Sequence, residues 1–307
     1  MKNNSQKALI IGSHGMLGSE LVKQAKKFTD WDVVTSDVSD EGGIDITSEI
    51  SVMDYFKKYR PDIVINCAAF TNVDACETDE GFAIAKKVNG YGPGLLAKYC
   101  VKNKALFIHI STDYVFGDDL PDQQAGENGG YKEDYDVFKP LNKYAETKLI
   151  GEEEVKKVYG GVVNGSDFSI QNPKGYIVRS SWLFGEGAKN FLAKILELSE
   201  KMDTLKVVTD EVSSPTYVKD LSQRLIYIAE KKPAGGIYHA SGRGEASRYD
   251  FARAILKSAG KKNRLLPSTL KEFGRKAGIP HHSVLLNTKL PVMRKWEEMV
   301  EDFLGTE

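Results

Sequence analysis

Cysteine is scarce in this sequence: Cys67, Cys76 and Cys100 are the only three in 307 residues. An odd count with no CxxC spacing excludes a disulfide framework and a zinc ribbon, and reads as reduced thiols in a cytosolic protein. Long apolar runs are lacking as well. Met1 to Lys7 is polar, and Ala8-Leu9-Ile10-Ile11 behind it is far shorter than a signal-peptide core or a membrane span, so neither export nor membrane embedding is expected. Nor is there an excess of either charge. Lys+Arg 42 against Asp+Glu 43 leaves a net charge of -1, too little positive field to hold nucleic acid or an anionic surface. Histidines number five, and the adjacent pair His281-His282 lacks metal-ligand spacing, so no metal site is expected. What is present is an ordinary globular composition. The 41% hydrophobic content and 28 glycines exclude a disordered or fibrous chain, and the length suits two compact units.

From Lys7 to about Leu120, short β-branched runs alternate with longer helix-like segments, the pattern of a parallel sheet covered on both faces. Strands are expected at Ala8-Ile11, Asp32-Thr35, Ile63-Asn66 and Leu106-Ile110. Helices are expected at Met16-Phe28, near Val52-Lys58, and as one piece from Gly81 to Lys102. Ile63-Val64-Ile65 and Leu106-Phe107-Ile108 lack polar alternation, as buried parallel strands should. Asp118 to Pro140 and Gly160 to Lys174 are polar, glycine-rich stretches that read as surface loops. Asn142 to Val158 reads as a helix and Tyr176-Arg179 as a strand, and beyond Arg179 the signals become less regular. The expected fold class is therefore α/β, a Rossmann-like doubly wound parallel sheet with a smaller mixed α/β domain. Residues 1–180 and about 208–240 would form the first, and about 181–207 and 241–307 the second.

Gly12-Ser13-His14-Gly15-Met16-Leu17-Gly18 follows the first strand and opens the first helix. In that setting Gly12 permits a tight turn, Gly15 lets backbone approach a pyrophosphate, and Gly18 allows close packing. The helix terminus offers free N–H groups to phosphate. This predicts a dinucleotide. Asp37, 19 residues after Gly18, stands where an acidic side chain accepts hydrogen bonds from an adenosine ribose and repels a 2'-phosphate. NADH and NADPH both remain open.

Tyr144 and Lys148 lie four apart on one helix face. A lysine ammonium beside a phenol should lower the phenol pKa from about 10 toward neutrality and leave a good proton donor. The pair sits after the glycine turn and after a strand ending in Ser111-Thr112-Asp113-Tyr114-Val115-Phe116. With Asn66-Cys67-Ala68-Ala69-Phe70-Thr71-Asn72-Val73-Asp74, Pro140-Leu141-Asn142, Arg179-Ser180-Ser181-Trp182-Leu183-Phe184-Gly185, Ser214-Pro215-Thr216 and Ser283-Val284-Leu285-Leu286-Asn287-Thr288, these blocks carry a resemblance. The chain resembles the extended short-chain dehydrogenase/reductase superfamily and, within it, the dTDP-4-dehydrorhamnose reductases, over nearly its whole length.

The resemblance implies a catalytic set of Thr112, Tyr144 and Lys148. It implies cofactor contacts from Gly12, Gly15, Met16, Leu17, Asp37, Asp45, Ile46, Ala68, Ala69 and Thr71 together with Tyr144 and Lys148. Substrate contacts would come from Thr112, Asp113, Tyr114 and Trp182, although Trp182 reads equally as an aromatic filling the core. The implied activity is reduction by NADPH or NADH of the 4-keto group of a nucleotide-activated 6-deoxysugar for cell-surface polysaccharide precursors, dTDP-4-dehydro-L-rhamnose to dTDP-L-rhamnose or a close relative. A homodimer, and Mg2+ on carboxylates such as Glu20, follow from the family alone. An epimerase or dehydratase of the same superfamily is a rival, but a dehydratase calls for a carboxylate pair directly after Thr112, and only Asp113 is acidic there. A regulatory subunit of the methionine adenosyltransferase beta type is another, against which the complete Thr112/Tyr144/Lys148 set weighs. The chain departs from the branch in its two longer loops, in Ser213 where Gly is usual, and in Ile279-Pro280 where Arg-Pro is common.

Overall fold

In the computed structural model, residues 5–118 and 129–305 are described. Along the chain come β1 (Lys7–Ile11), α1 (Met16–Phe28), β2 (Asp32–Ser36), α2 (Glu49–Tyr59), β3 (Ile63–Asn66), α3 (Val73–Cys76), α4 (Asp79–Ala85), α5 (Gly92–Asn103), β4 (Leu106–Thr112) and α6 (Lys143–Val158). After these follow β5 (Val162–Val163), β6 (Asp167–Phe168), β7 (Gly175–Ser180), β8 (Leu183–Phe184), α7 (Phe191–Ser199), β9 (Thr204–Val208), β10 (Val212–Ser213), β11 (Thr216–Tyr217), α8 (Val218–Lys231) and β12 (Gly236–His239). The chain closes with β13 (Ala246–Ser247), α9 (Arg248–Ser258), β14 (Arg264–Ser268), α10 (Leu270–Phe273) and α11 (Trp296–Leu304).

The main sheet has the order β2-β1-β3-β4-β7-β12-β6-β5. Its first six strands are parallel. β3 and β7 are buried at every position, which is why Ile63-Val64-Ile65 and Tyr176-Ile177-Val178 run without polar alternation. Because β2 lies on one side of β1 and β3 on the other, the chains leaving β1 and β3 diverge and open a crevice beyond the carboxyl ends of the strands. In α1, Leu17, Leu21, Gln24 and Ala25 are buried at helical spacing, forming the stripe that packs on the sheet and α8.

Two expectations fail at this level. The segment Gly160–Lys174 is not a plain loop: β5 and β6 form an antiparallel extension of the main sheet. Of Asp118–Pro140, residues 119–128 lie outside the described ones; in the remainder Lys132, Asp134, Asp136, Val137 and Lys139 are exposed as a surface loop should be, while Gly130, Tyr131 and Glu133 are buried. Tyr131 is 1% exposed, its ring stacks on Phe116 at 4.1 Å, and its backbone bridges to Leu285. The expected single helix Gly81–Lys102 is also interrupted. A π-helical stretch, Lys86–Tyr91, joins α4 to α5, where Gly90, Gly92 and Pro93 crowd one turn.

Beyond Arg179 a second group of elements gathers around parallel β9 and β14, with α7, α9 and α11 packed together. Trp182, Phe184, Phe251 and Trp296 belong to a core cluster that continues into the α1 and α8 side of the main sheet. No helix of the described residues is long and apolar enough to cross a membrane.

Candidate active site

A cavity of about 840 Å³ opens at the carboxyl ends of the parallel strands, between the main sheet and the second group of elements. One wall is the glycine turn. Gly12 has φ +76, and a Cβ there would lie 2.6 Å from the Ala68 backbone nitrogen. A Cβ on Gly18 would lie 2.0 Å from the Gly12 carbonyl oxygen. Gly15 is the N-cap of α1 and no side chain caps that helix, so the N–H groups of its first turn are left for a ligand in the cavity that Gly15, Met16 and Leu17 line. Ser13 Oγ is buried without a partner among the described residues. A tight, uncapped helix start with an orphan hydroxyl fits a dinucleotide pyrophosphate.

The loop after β3 supplies Ala69 and Thr71 to the same wall. It is pinned by Asn89, buried in the π-helical stretch, whose side chain exchanges two hydrogen bonds with the Phe70 backbone and donates a third to Thr147 Oγ1 on α6. Asn89 carried no sequence signal, because neighbouring residues do not show that a helix will bulge there.

The floor is built from the end of β4 and the first turns of α6. Asn142 caps α6 by accepting from Ala145 N–H at 2.8 Å and donates to the Gly278 carbonyl at 2.7 Å. The helix then points Tyr144 and Lys148 into the cavity beside Thr112, Asp113 and Tyr114. Thr112 Oγ1 donates to Asp113 Oδ1 (3.0 Å) and accepts from Tyr114 N–H (3.2 Å). Asp113 Oδ2 accepts from Ser213 (2.9 Å) and Ser283 (2.6 Å). Burial pushes Asp113 up to about 6, against the pull of these three hydroxyls and Arg248.

The expected lowering of the Tyr144 pKa is not what this geometry gives. Burial, and next the negative charge of Asp113, raise it. The Lys148 ammonium instead donates to the Ile110 carbonyl at 2.6 Å, with His109 Nε2 3.5 Å away. Burial lowers Lys148 to about 8, with Glu152 opposing. Helical spacing brings two side chains to one face, but it does not decide which way a flexible ammonium turns.

The far wall holds Trp182 and a pair that the sequence did not single out, Arg248 and Glu211. Trp182 has φ +42, unusual for a side chain of that size. Arg248 lies 3.5 Å from the centre of its ring and donates to Glu211, which also accepts from the Tyr114 phenol at 3.4 Å. The position directly over the indole is therefore held by a cation.

The model of the RmlD substrate binding domain matches residues 6–307. The chain belongs to that family. Spore coat polysaccharide biosynthesis protein SpsK of Bacillus subtilis is 34% identical over 302 residues, covering 97% of this chain and 96% of that protein. Among solved structures, a dTDP-4-dehydrorhamnose reductase of Clostridium acetobutylicum is 36% identical with a TM-score of 0.85, covering 98% of this chain and 99% of the other. The Bacillus anthracis dTDP-4-dehydrorhamnose reductase, crystallised with NADP, is 30% identical with a TM-score of 0.85, covering 99% and 100%.

For this RmlD-family chain, the residues expected from the sequence divide in two. Gly15, Met16, Leu17, Ala69, Thr71, Thr112, Asp113, Tyr114, Tyr144, Lys148 and Trp182 all line the cavity. Gly12 and Ala68 lie just behind that wall, in contact with each other. Asp37, Asp45 and Ile46 do not line it. Ile46 is buried against Gly92, and Asp45 accepts from Thr47. Asp37 accepts from Ser39 (2.8 Å) and from the His14 N–H (3.3 Å); burial opposes its ionisation, yet these bonds outweigh it and hold the carboxyl below its usual range. Glu20 accepts from Gln24 and pairs with Lys23, and among the described residues no group of three metal-ligating side chains occurs.

Proposed function

We propose that the chain reduces the 4-keto group of a dTDP-linked 6-deoxysugar with NADPH or NADH, converting dTDP-4-dehydro-L-rhamnose to dTDP-L-rhamnose or a close relative, as a step toward cell-surface polysaccharide. The observation that carries this reading is the meeting of Thr112, Tyr144 and Lys148 on the floor of one cavity whose wall is an uncapped helix start. Relatives named as dTDP-4-dehydrorhamnose reductases, one crystallised with NADP, support it.

In this reading Gly12, Gly15, Met16 and Leu17 hold the pyrophosphate, Ala68, Ala69 and Thr71 border the nicotinamide half, and Asp37, Asp45 and Ile46 lie toward the adenosine. When bound, the cofactor supplies a hydride to the carbonyl carbon. Charge then develops on the ketone oxygen, where the Tyr144 phenol donates its proton and Thr112 gives a second hydrogen bond. Lys148 holds the nicotinamide ribose. The raised pKa of Tyr144 keeps its proton in place until an alkoxide, a much stronger base, forms beside it. Residues 1–180 and about 208–240 hold the cofactor, and 181–207 with 241–307 hold the nucleotide sugar beside Trp182 and Arg248. The nucleotide anchors a sugar that alone has too few atoms for useful affinity. A homodimer and a cytosolic setting complete the reading, the former checked by sedimentation.

The test is loss of reduced-nicotinamide absorbance on mixing the purified protein with a dTDP-4-keto-6-deoxysugar. Turnover with that compound, and very poor turnover with the free 4-keto sugar, is expected. Equal efficiency on both would point to a small-carbonyl reductase instead.

A further inference from the structure

His109 is fully buried on β4, and the reaction as described gives it no task. Its two ring nitrogens nevertheless have fixed roles, because Asn66 at the end of β3 assigns them. Asn66 Oδ1 accepts from the Ala68 N–H at 3.1 Å, so the amide cannot be turned over, and its NH2 group faces His109 Nδ1 at 3.2 Å. An amide NH2 only donates, so Nδ1 accepts and carries no proton. In the neutral ring the proton then sits on Nε2. Burial, and next the charge of Lys148, hold the ring well below the ordinary histidine pKa, so the ring is neutral.

The neighbour of Nε2 is Lys148 Nζ, 3.5 Å away and buried with it. An ammonium has three N–H groups and no lone pair. One goes to the Ile110 carbonyl at 2.6 Å, and a second is available to the nicotinamide ribose. The third is left facing another N–H. An uncharged amine has two N–H groups and one lone pair: it keeps both of those acceptors, and its lone pair accepts from Nε2–H. The polar groups around Nζ therefore match the amine, and hydrogen bonding to one protonation state favours that state. The other ionisable groups that bear on Lys148 are Glu152, one turn further along α6, and Cys67 after β3. Glu152 favours the ammonium, but its oxygens are taken by Arg179 and Ser111. Burial pushes the Cys67 thiol up to about 12, so it is uncharged. Tyr144, one turn earlier on α6, keeps its proton as well.

We propose that His109, locked by Asn66 with its proton on Nε2, is a positioning residue that favours the uncharged amine of Lys148 and thereby sets the alkaline end of the range in which the chain turns over. His109 acts on the reaction through Lys148 alone. Burial already opposes the ammonium, and the Nε2–H adds to that opposition from one definite direction. This inference rests on the reductase reading given above, in which a charged Lys148 serves turnover.

The experiment follows Lys148 by NMR in protein whose lysines are isotopically labelled at Cε, a carbon that reports the protonation of Nζ, with Lys148→Met assigning the signal. In the wild type the transition should lie at or below about 8. In His109→Phe, which fills the place of the ring without an N–H, it should move up by about one pH unit, the size expected for one lost hydrogen bond. The alkaline limb of kcat/KM should move up with it while the acid limb stays. A transition that stays or falls in His109→Phe, whatever happens to the rate, would make His109 a structural residue and overturn the proposal. Should His109→Phe not fold, the ring nitrogen shifts of the wild type decide: a proton on Nε2 and none on Nδ1 is expected, and the reverse would overturn it. Absence of wild-type turnover, with the Cε transition still moving up in the variant, would defeat the reductase reading while upholding the action of His109 on Lys148.

Discussion

Tyr144 enters its site with a proton that burial and Asp113 make hard to lose, and general acid catalysis exploits that only when an alkoxide forms against it. Tyr144→Phe should therefore keep the fold and the affinity for NADPH while kcat falls by roughly 10²- to 10⁴-fold. Cofactor titration beside steady-state rates checks both halves, and comparable turnover in the mutant would end the assignment. Two titratable groups that line the same cavity set the pH range of the reaction. Asp113 accepts a proton below about 6, and Lys148 loses one above about 8. An ionised Asp113 and a charged Lys148 coexist only between those values, so kcat/KM should rise through about 6 and fall through about 8. Asp113→Asn should remove the acid limb and leave the alkaline one. A profile that stays flat across both values would show that neither group needs the charge state assigned to it.

At the scale of elements, the start of α1 and the seam between β4, β7 and α6 carry the site. Gly18→Ala places a Cβ 2.0 Å from the Gly12 carbonyl oxygen, so α1 must shift away from the turn, and the expected result is a large loss of NADPH affinity with a lowered Tm. Retained affinity in calorimetry would mean that the turn does not hold the pyrophosphate. In the seam, Arg179 on β7 makes two hydrogen bonds to Glu152 on α6, one turn beyond Lys148, with both side chains fully buried and Ser111 of β4 donating to the same carboxylate. Burial opposes ionisation of Glu152, yet Arg179 outweighs it and lowers the carboxyl to about 2. A depressed folded-state value means that the pair's contribution is complete above the ordinary glutamate pKa of about 4.3 and is lost as pH falls toward about 2. Glu152→Gln leaves a buried guanidinium without its counter-charge and should cost about 3–5 kcal/mol in denaturant unfolding near neutral pH.

These elements were unequally legible in the sequence. Helix α1 falls on the residues expected for it, because a glycine turn, an apolar stripe and terminal lysines mark its ends. The helix Gly81–Lys102 was read through its interruption, since the π-helical stretch depends on Asn89 reaching Phe70 and Thr147, contacts remote in sequence. Polar composition hid the pairing of Tyr131 with Leu285 and the strands β5 and β6: Tyr131 and β6 take partners from distant parts of the chain, and β5 is a two-residue strand whose partner is β6 alone. Within the site, the motif-bearing residues were found and their hydrogen-bond directions were not. Arg248 and Glu211, outside any recognised motif, were missed altogether.

For the molecule as a whole, the core cluster that runs from α1 and α8 through Trp182 to Phe251 and Trp296 joins the two groups of elements that face each other across the cavity. Trp182 stands in that seam beneath Arg248. Trp182→Ala should therefore damage kcat/KM for the nucleotide sugar far more than cofactor affinity, and equal losses in both would make the residue a core filler only. The central claim, reduction at C4, is tested most directly by isotope transfer. The protein is incubated with nicotinamide cofactor carrying deuterium at the transferred position and with dTDP-4-dehydro-L-rhamnose, and the product is read by NMR. Deuterium at C4 of the product, one equivalent for each cofactor oxidised, is the predicted result. A product epimerised or dehydrated with no net oxidation of the cofactor, or one without label at C4, would contradict it.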